Sequence, residues 1–178
     1  LVFAVQAGET KIVNVSRELN APVYNIKNAD AYGGAADALN PNGSRYSLQG
    51  AGSGVLASTL TLDKASSYFG MWWSAGDPNN VLEFYNGDTL IGRFTTASLM
   101  DPLPSDYDGN PMNRKLNSGE PYGFINFFGD EKTTWDSIVF TNNGSSGFES
   151  DNYTTRVEAW DPLTVYSELE SRFSVQLP

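Results

Sequence analysis

The chain has 178 residues, 21 acidic against 11 basic for a formal net charge of -10, and neither cysteine nor histidine. That excludes disulfide scaffolds, thiolate and imidazole metal centres, cysteine nucleophiles and Ser-His-Asp chemistry, and the charge disfavours nucleic acid and anionic lipid as partners. The length suits a single domain over 1–178, large enough to build its core without a staple.

Aromatics at 13 %, 17 Gly and 9 Pro, with only 18 % charged residues, describe short strands and tight turns, hence an all-β fold. No run approaches the roughly 18 apolar residues of a membrane-spanning helix, so no membrane insertion is expected.

In chain order, Leu1, Val2, Phe3, Ala4, Val5 and Gln6 alternate as a strand that is apolar on both faces. Such a strand must complete a sheet, and a neighbouring copy is the acceptor preferred by a small margin over its own domain, with Gly8-Glu9-Thr10 as a hinge. The same stretch, LVFAVQA, also has the look of a signal-peptide tail with a small-residue cleavage site; here it is read as a strand. Residues 1–41 thus hold the N-terminal strands, including Lys11–Val15 and Val23–Ile26, and a loop, all candidates for an intersubunit role. Asp30–Gly54 is rich in breakers, with one helical turn at Ala35–Leu39 and a short strand at Tyr46–Leu48.

Val55–Leu62, Ser67–Ser74, Val81–Tyr85 and Thr89–Phe94 follow at roughly ten-residue spacing and read as a meander. Asn86-Gly87 marks a hairpin within it. After a long polar loop from Met100 to Glu120, strands are expected at Tyr122–Phe128, Trp135–Thr141 and Asn152–Glu158, and a last one near Leu163–Tyr166 or Phe173–Leu177. About ten strands with long loops predict a two-sheet, jelly-roll-like β-sandwich.

The run SSYFGMWWSAGDPNNVLEFYNGDTLIGRFT, followed by PYGFINFFGD, TWDSIVFTNN and GFESDNYTTRVE, resembles the exosortase-sorted PEP-CTERM surface proteins of Gram-negative bacteria. The likeness covers about Asn42 to Glu158, while the flanking segments match nothing in the pattern and the Pro-Glu-Pro sorting tail is absent. An end at Leu177-Pro178 is what processing near such a tail would leave. The resemblance implies export to the cell surface or extracellular space and a β-sandwich, and it implies no particular activity.

Two constellations carry chemistry. Asp106, Asp108 and Asn110 alternate oxygen ligands around a glycine, with Asp101 upstream and Glu120 downstream, a pattern suited to calcium. An ordinary solvated turn is the alternative. Asp77-Pro-Asn79-Asn80 and the group Glu149, Asp151 and Asn152 are weaker calcium candidates, with Asn152 read in preference as bonding backbone at a strand entry. Tyr68, Trp72, Glu83 and Tyr85 fall on one face of an expected Tyr68–Tyr85 hairpin, where rings beside a carboxylate would stack on sugars unless another element covers them.

No spacing among the acids singles out a glycosidase pair. The sequence therefore reads as a non-enzymatic structural protein of the cell surface or matrix, calcium-stabilised and self-assembling into an oligomer or filament by strand addition. A carbohydrate-binding module for extracellular polysaccharide is the alternative, and a glycan hydrolase a third.

Overall fold

The computed structural model describes residues 2–6, 27–28, 45–50, 53–99, 103–110, 116–130 and 132–159. The strands expected at Lys11–Val15, Val23–Ile26 and the C-terminal end, the turn at Ala35–Leu39 and the candidate ligand Asp101 lie outside these residues. Ten strands lie among the described residues: β1 (Val2–Gln6), β2 (Lys27–Asn28), β3 (Arg45–Gly50), β4 (Ala57–Ser66), β5 (Tyr68–Ser74), β6 (Asn80–Asn86), β7 (Thr89–Thr95), β8 (Gly123–Phe128), β9 (Trp135–Asn142) and β10 (Gly147–Arg156). One helical turn, α1 (Thr96–Leu99), follows β7 and tucks Leu99 into the core.

The strands form a six-stranded sheet in the order β1-β8-β5-β10-β3-β2 and a four-stranded sheet in the order β4-β9-β6-β7, with every pairing antiparallel. From β3 to β10 each consecutive strand crosses to the opposite sheet except at the β6–β7 hairpin. That is the strand order of a jelly roll. It corrects the meander reading. β5 and β6 are not hairpin partners: β5 pairs with β8 and β10, and β6 with β7 and β9.

Local chemistry accounts for the links. At the β6–β7 turn Asn86 is paired with Thr89, and Gly87 alone takes the positive φ, at 55°. Asn86 instead spends its amide on the Thr134 hydroxyl at 2.9 Å, and Gly87 N–H donates to Asp136 Oδ2 at 3.0 Å, which ties the turn to the approach to β9. Asp63 and Lys64, between the expected strands Val55–Leu62 and Ser67–Ser74, sit inside the long strand β4, whose register with β9 shifts between Thr61 and Ser66.

Alternation on each strand supplies the core. Phe69, Met71, Trp73, Ile125, Phe127 and Phe148 point inward from the six-stranded sheet and meet Leu60, Leu82, Phe84, Trp135, Ile138 and Phe140 from the other. Phe84 is the hub. Its ring lies 4.8 Å from Phe127, 4.9 Å from Trp135 and 5.9 Å from both Phe69 and Phe94, so one side chain of β6 ties both sheets.

β1 occupies the edge of its own chain's six-stranded sheet, pairing Val2 with Phe128 through Gln6 with Phe124. The sequence favoured a neighbouring copy as acceptor. β8 is held by β5 on one side, so its other ladder of N–H and C=O groups is the free edge, and a strand of the same chain meets it without a second molecule.

Because Phe84 is fully buried between the sheets, Phe84→Ala should lower unfolding free energy by about 3–5 kcal/mol. Urea denaturation checks this, and the exposed Leu90→Ala should cost under about 0.5 kcal/mol by the same measurement.

Candidate functional site

The acidic loop folds back on itself. After a single 3-10 turn at Ser105–Tyr107, Asp108 bridges to Pro121, Gly109 N–H donates to Glu120 O at 3.1 Å and Asn110 N–H to Leu116 O at 3.0 Å. Gly109 makes the bend with φ 83°. This small ladder gathers Asp106, Asp108, Asn110 and Glu120 in one region, but their polar atoms face different partners. Asp108 Oδ1 accepts from Gly119 N–H at 2.9 Å, Glu120 Oε2 from Asn117 Nδ2 at 2.7 Å, and Asp106 offers its main-chain carbonyl to the Tyr122 hydroxyl at 2.9 Å. These contacts of Asp108 and Glu120 fasten the loop. Among the described residues, no three acidic side chains form a group able to hold a metal ion.

Tyr68, Trp72, Glu83 and Tyr85 do not share a face. Tyr68 and Trp72 lie on the outer face of the six-stranded sheet, Glu83 and Tyr85 on the outer face of the four-stranded one, so the sandwich separates the two pairs. Tyr68 is buried, donates to Asn126 Oδ1 at 2.8 Å and packs 5.2 Å from Phe128; burial pushes its phenol up to about 12. Glu83 accepts from the Tyr85 hydroxyl at 3.1 Å and pairs with Arg93 at 3.3 Å across the β6–β7 ladder.

Trp72 instead finds partners that the sequence did not suggest. Its ring lies 5.6 Å from Tyr122, which lies 6.1 Å from Tyr107, and all three are half-buried. The loop ladder builds this row, because Tyr122 N–H donates to Tyr107 O at 2.8 Å and Pro121 O accepts from Gly76 N–H at 2.8 Å at the end of β5. Asp151 is the cross-strand neighbour of Trp72. The only hint in the sequence is that each tyrosine stands beside an acidic or proline residue of the loop.

The secondary candidates at Asp77 and Glu149 are brought together. Glu149 on β10 is 3 % exposed and lies opposite Leu48 of β3 and Ser74 of β5. Its Oε1 rests where a side chain on Gly147 would begin, so any larger residue there would displace the Glu149 carboxyl. Asp77, in the turn between β5 and β6, reaches the same glycine, accepting from Gly147 N–H and from the Ser146 side chain. Asn80 holds that turn in place, accepting from Asp77 N–H at 3.1 Å and donating to Gly147 O at 3.0 Å.

Burial, then the nearby Asp77 and Glu120 carboxylates, push the Glu149 carboxyl up to about 8, against a smaller opposing pull from its own backbone N–H. Asp77 is raised as well, chiefly by burial and then by Glu120, against the hydrogen bonds from Ser146 and Gly147. Two oxygens in this corner, Glu149 Oε2 and Ser74 Oγ, are buried without a hydrogen-bond partner.

No family model, no curated protein and no solved structure matches the chain. Fold and side chains together define an acidic, antiparallel β-sandwich of jelly-roll strand order, with a carboxylate corner at one end and an aromatic row beside it.

Glu149 binds its proton more tightly in the folded state, near 8, than at its ordinary 4.5. The folded chain therefore carries the extra proton between those values, and stability falls as pH climbs through that window. In chelator, unfolding free energy should drop from pH 5 to pH 8, and Glu149→Gln should flatten the drop, gaining at most about 5 kcal/mol at the alkaline end. Urea melts at a series of pH values measure both.

Proposed function

We propose that this protein is a secreted, non-enzymatic structural component of a cell surface or extracellular matrix, whose copies join by exchanging β1. One observation carries the reading: β1 is an edge strand whose one partner among the described residues is β8, through five residue pairs. An edge strand paired on one side can fill its own β8 slot or a neighbour's with the same hydrogen bonds. Because donor and acceptor surfaces differ, exchange is head-to-tail and runs on as a filament or closes as a ring. The likeness of YFGMWW, EFYNGDTLIG and GFESDN to exosortase-sorted proteins supports export. Calcium enters as the counterion that lets chains of net charge -10 lie side by side.

Light scattering behind size exclusion tests the exchange. The full chain should form oligomers that grow with concentration. A variant lacking residues 1–7 should stay monomeric, keep its circular dichroism, and bind a synthetic LVFAVQA peptide but not its scrambled form. A full chain monomeric at every concentration would overturn the reading.

A second reading, binding of extracellular polysaccharide, is favoured by the Trp72, Tyr122 and Tyr107 row with acids beside it. Stacking on a sugar scales with ring area. Trp72→Ala and Tyr122→Ala should each abolish co-sedimentation with insoluble glycan, while Tyr85→Ala on the opposite face should leave it unchanged.

A further inference from the structure

We propose that the corner between β5 and β10 binds one hard cation, of calcium's chemistry, through the carboxylates of Glu149 and Asp77 and the hydroxyl of Ser74, with Glu120 as the adjacent charge. The inference deepens the calcium part of the preceding reading and is independent of strand exchange.

Convergence is the first ground. Glu149 and Asp77 come from segments more than seventy residues apart, yet both carboxylates meet at Gly147, one against its Cα and the other on its N–H. The second ground is independent of the acids. Ser74 is 1 % exposed, is the register partner of Glu149 and shares its sheet face, and its Oγ has no hydrogen-bond partner; Glu149 Oε2 beside it has none either. Directly opposed residues of an antiparallel pair hold their Cβ atoms about 4.5–5.5 Å apart, so the two side chains leave one sheet face from neighbouring points, yet the Ser74 hydroxyl does not donate to Glu149 Oε2. Buried oxygens as a rule find a partner, and two on one face that bond neither to each other nor elsewhere are what a cation held between them would satisfy.

Charge is the third ground. The charges acting on Glu149 are Asp77 and Glu120, both negative, so the corner gathers like charge that a bound cation would relieve. Asp77 is half-buried and adjoins the exposed Pro78 and Asn79, which opens the corner to solvent on that side.

The oxygens suit calcium. No three acids among the described residues form a metal-holding group by themselves, so the site counts two carboxylates with a hydroxyl, and water completes the shell. Calcium accepts six to eight oxygens of mixed type in flexible geometry, whereas magnesium demands a near-ideal octahedron.

Chelator-treated full-length protein titrated with calcium chloride at fixed neutral pH tests the site, by calorimetry and by thermal melting. One site per chain is expected, with a melting temperature that rises in millimolar calcium and is unmoved by magnesium. Glu149→Gln, an isosteric change that removes the ionisable carboxyl and with it the anionic ligand a cation would draw out, should fold and lose the response; Asp77→Asn should lose it too, and Ser74→Ala should weaken binding at least tenfold. Asp108→Asn, which alters only the acidic loop, should respond as the parent does. The proposal is overturned if the parent binds no calcium, if Glu149→Gln and Asp77→Asn both respond normally, or if Asp108→Asn abolishes binding and so places the ion in the loop. Light scattering on the same samples reports assembly separately, so that loss of calcium binding and loss of strand exchange are told apart.

Discussion

The structure depends on one constraint: each sheet must push aromatic rings into the other. A sandwich keeps its sheets about 10 Å apart, and that space must be filled at near-crystalline density. Phe84 reaches Phe127 and Phe69 across the gap and Trp135 beside it, while Phe140 packs 5.8 Å from Phe148 and 6.3 Å from Phe69. Rings tilted or edge-on to one another satisfy their quadrupoles as well as their area. Because neighbours in this cluster come from strands distant in sequence, the crossing order of β3 to β10 and the packing are two descriptions of one solution.

That interdependence decides what could be read from the chain. Alternation places Phe69, Met71 and Trp73 on one side of their strand, and Leu82 with Phe84 on one side of theirs, and all five are core. The β6–β7 hairpin is written locally in Asn86-Gly87. Alternation does not say which strand lies alongside, however. Phe69, Met71 and Trp73 would face inward equally well if β5 paired with β6, and only the full set of strands competing for β5 gives its place to β8 and β10. For that reason the sequence alone groups Tyr68 and Trp72 with Glu83 and Tyr85, although the inward residues of both strands are legible in it.

The carboxylate corner was legible in parts and not as a whole. Asp77 and Glu149 each stand in a turn-like or polar setting that marks them as possible ligands, but their meeting depends on the β5–β10 pairing and on Gly147, whose missing side chain makes room for Glu149. Nothing near Gly147 in sequence announces that role. The loop from Asp106 to Glu120 shows the converse. Its acidic spacing is conspicuous, yet the carboxylates of Asp108 and Glu120 are engaged by Gly119 N–H and Asn117, the local bonding that makes Asp, Asn and Gly common in turns of any purpose.

Burial on both faces of the larger sheet then narrows where this protein can meet anything else. Tyr46, Leu48, Tyr68, Phe124 and Phe128 lie on its outer face, away from the other sheet, and every one is buried. This sheet is therefore no open platform, and the half-buried Trp72, Tyr122 and Tyr107 stand toward the end where the acidic loop docks. The outer face of the four-stranded sheet is the more exposed one, but Glu83, Arg93 and Tyr85 are already engaged with each other there. Among the described residues, what remains is main chain: the edge strands, whose outer N–H and C=O groups can take up a further strand irrespective of side chain, and the loops at the sandwich end. For a chain whose net charge of -10 repels its own copies, a contact made of backbone hydrogen bonds at an edge is the association that repulsion between acidic surfaces opposes least.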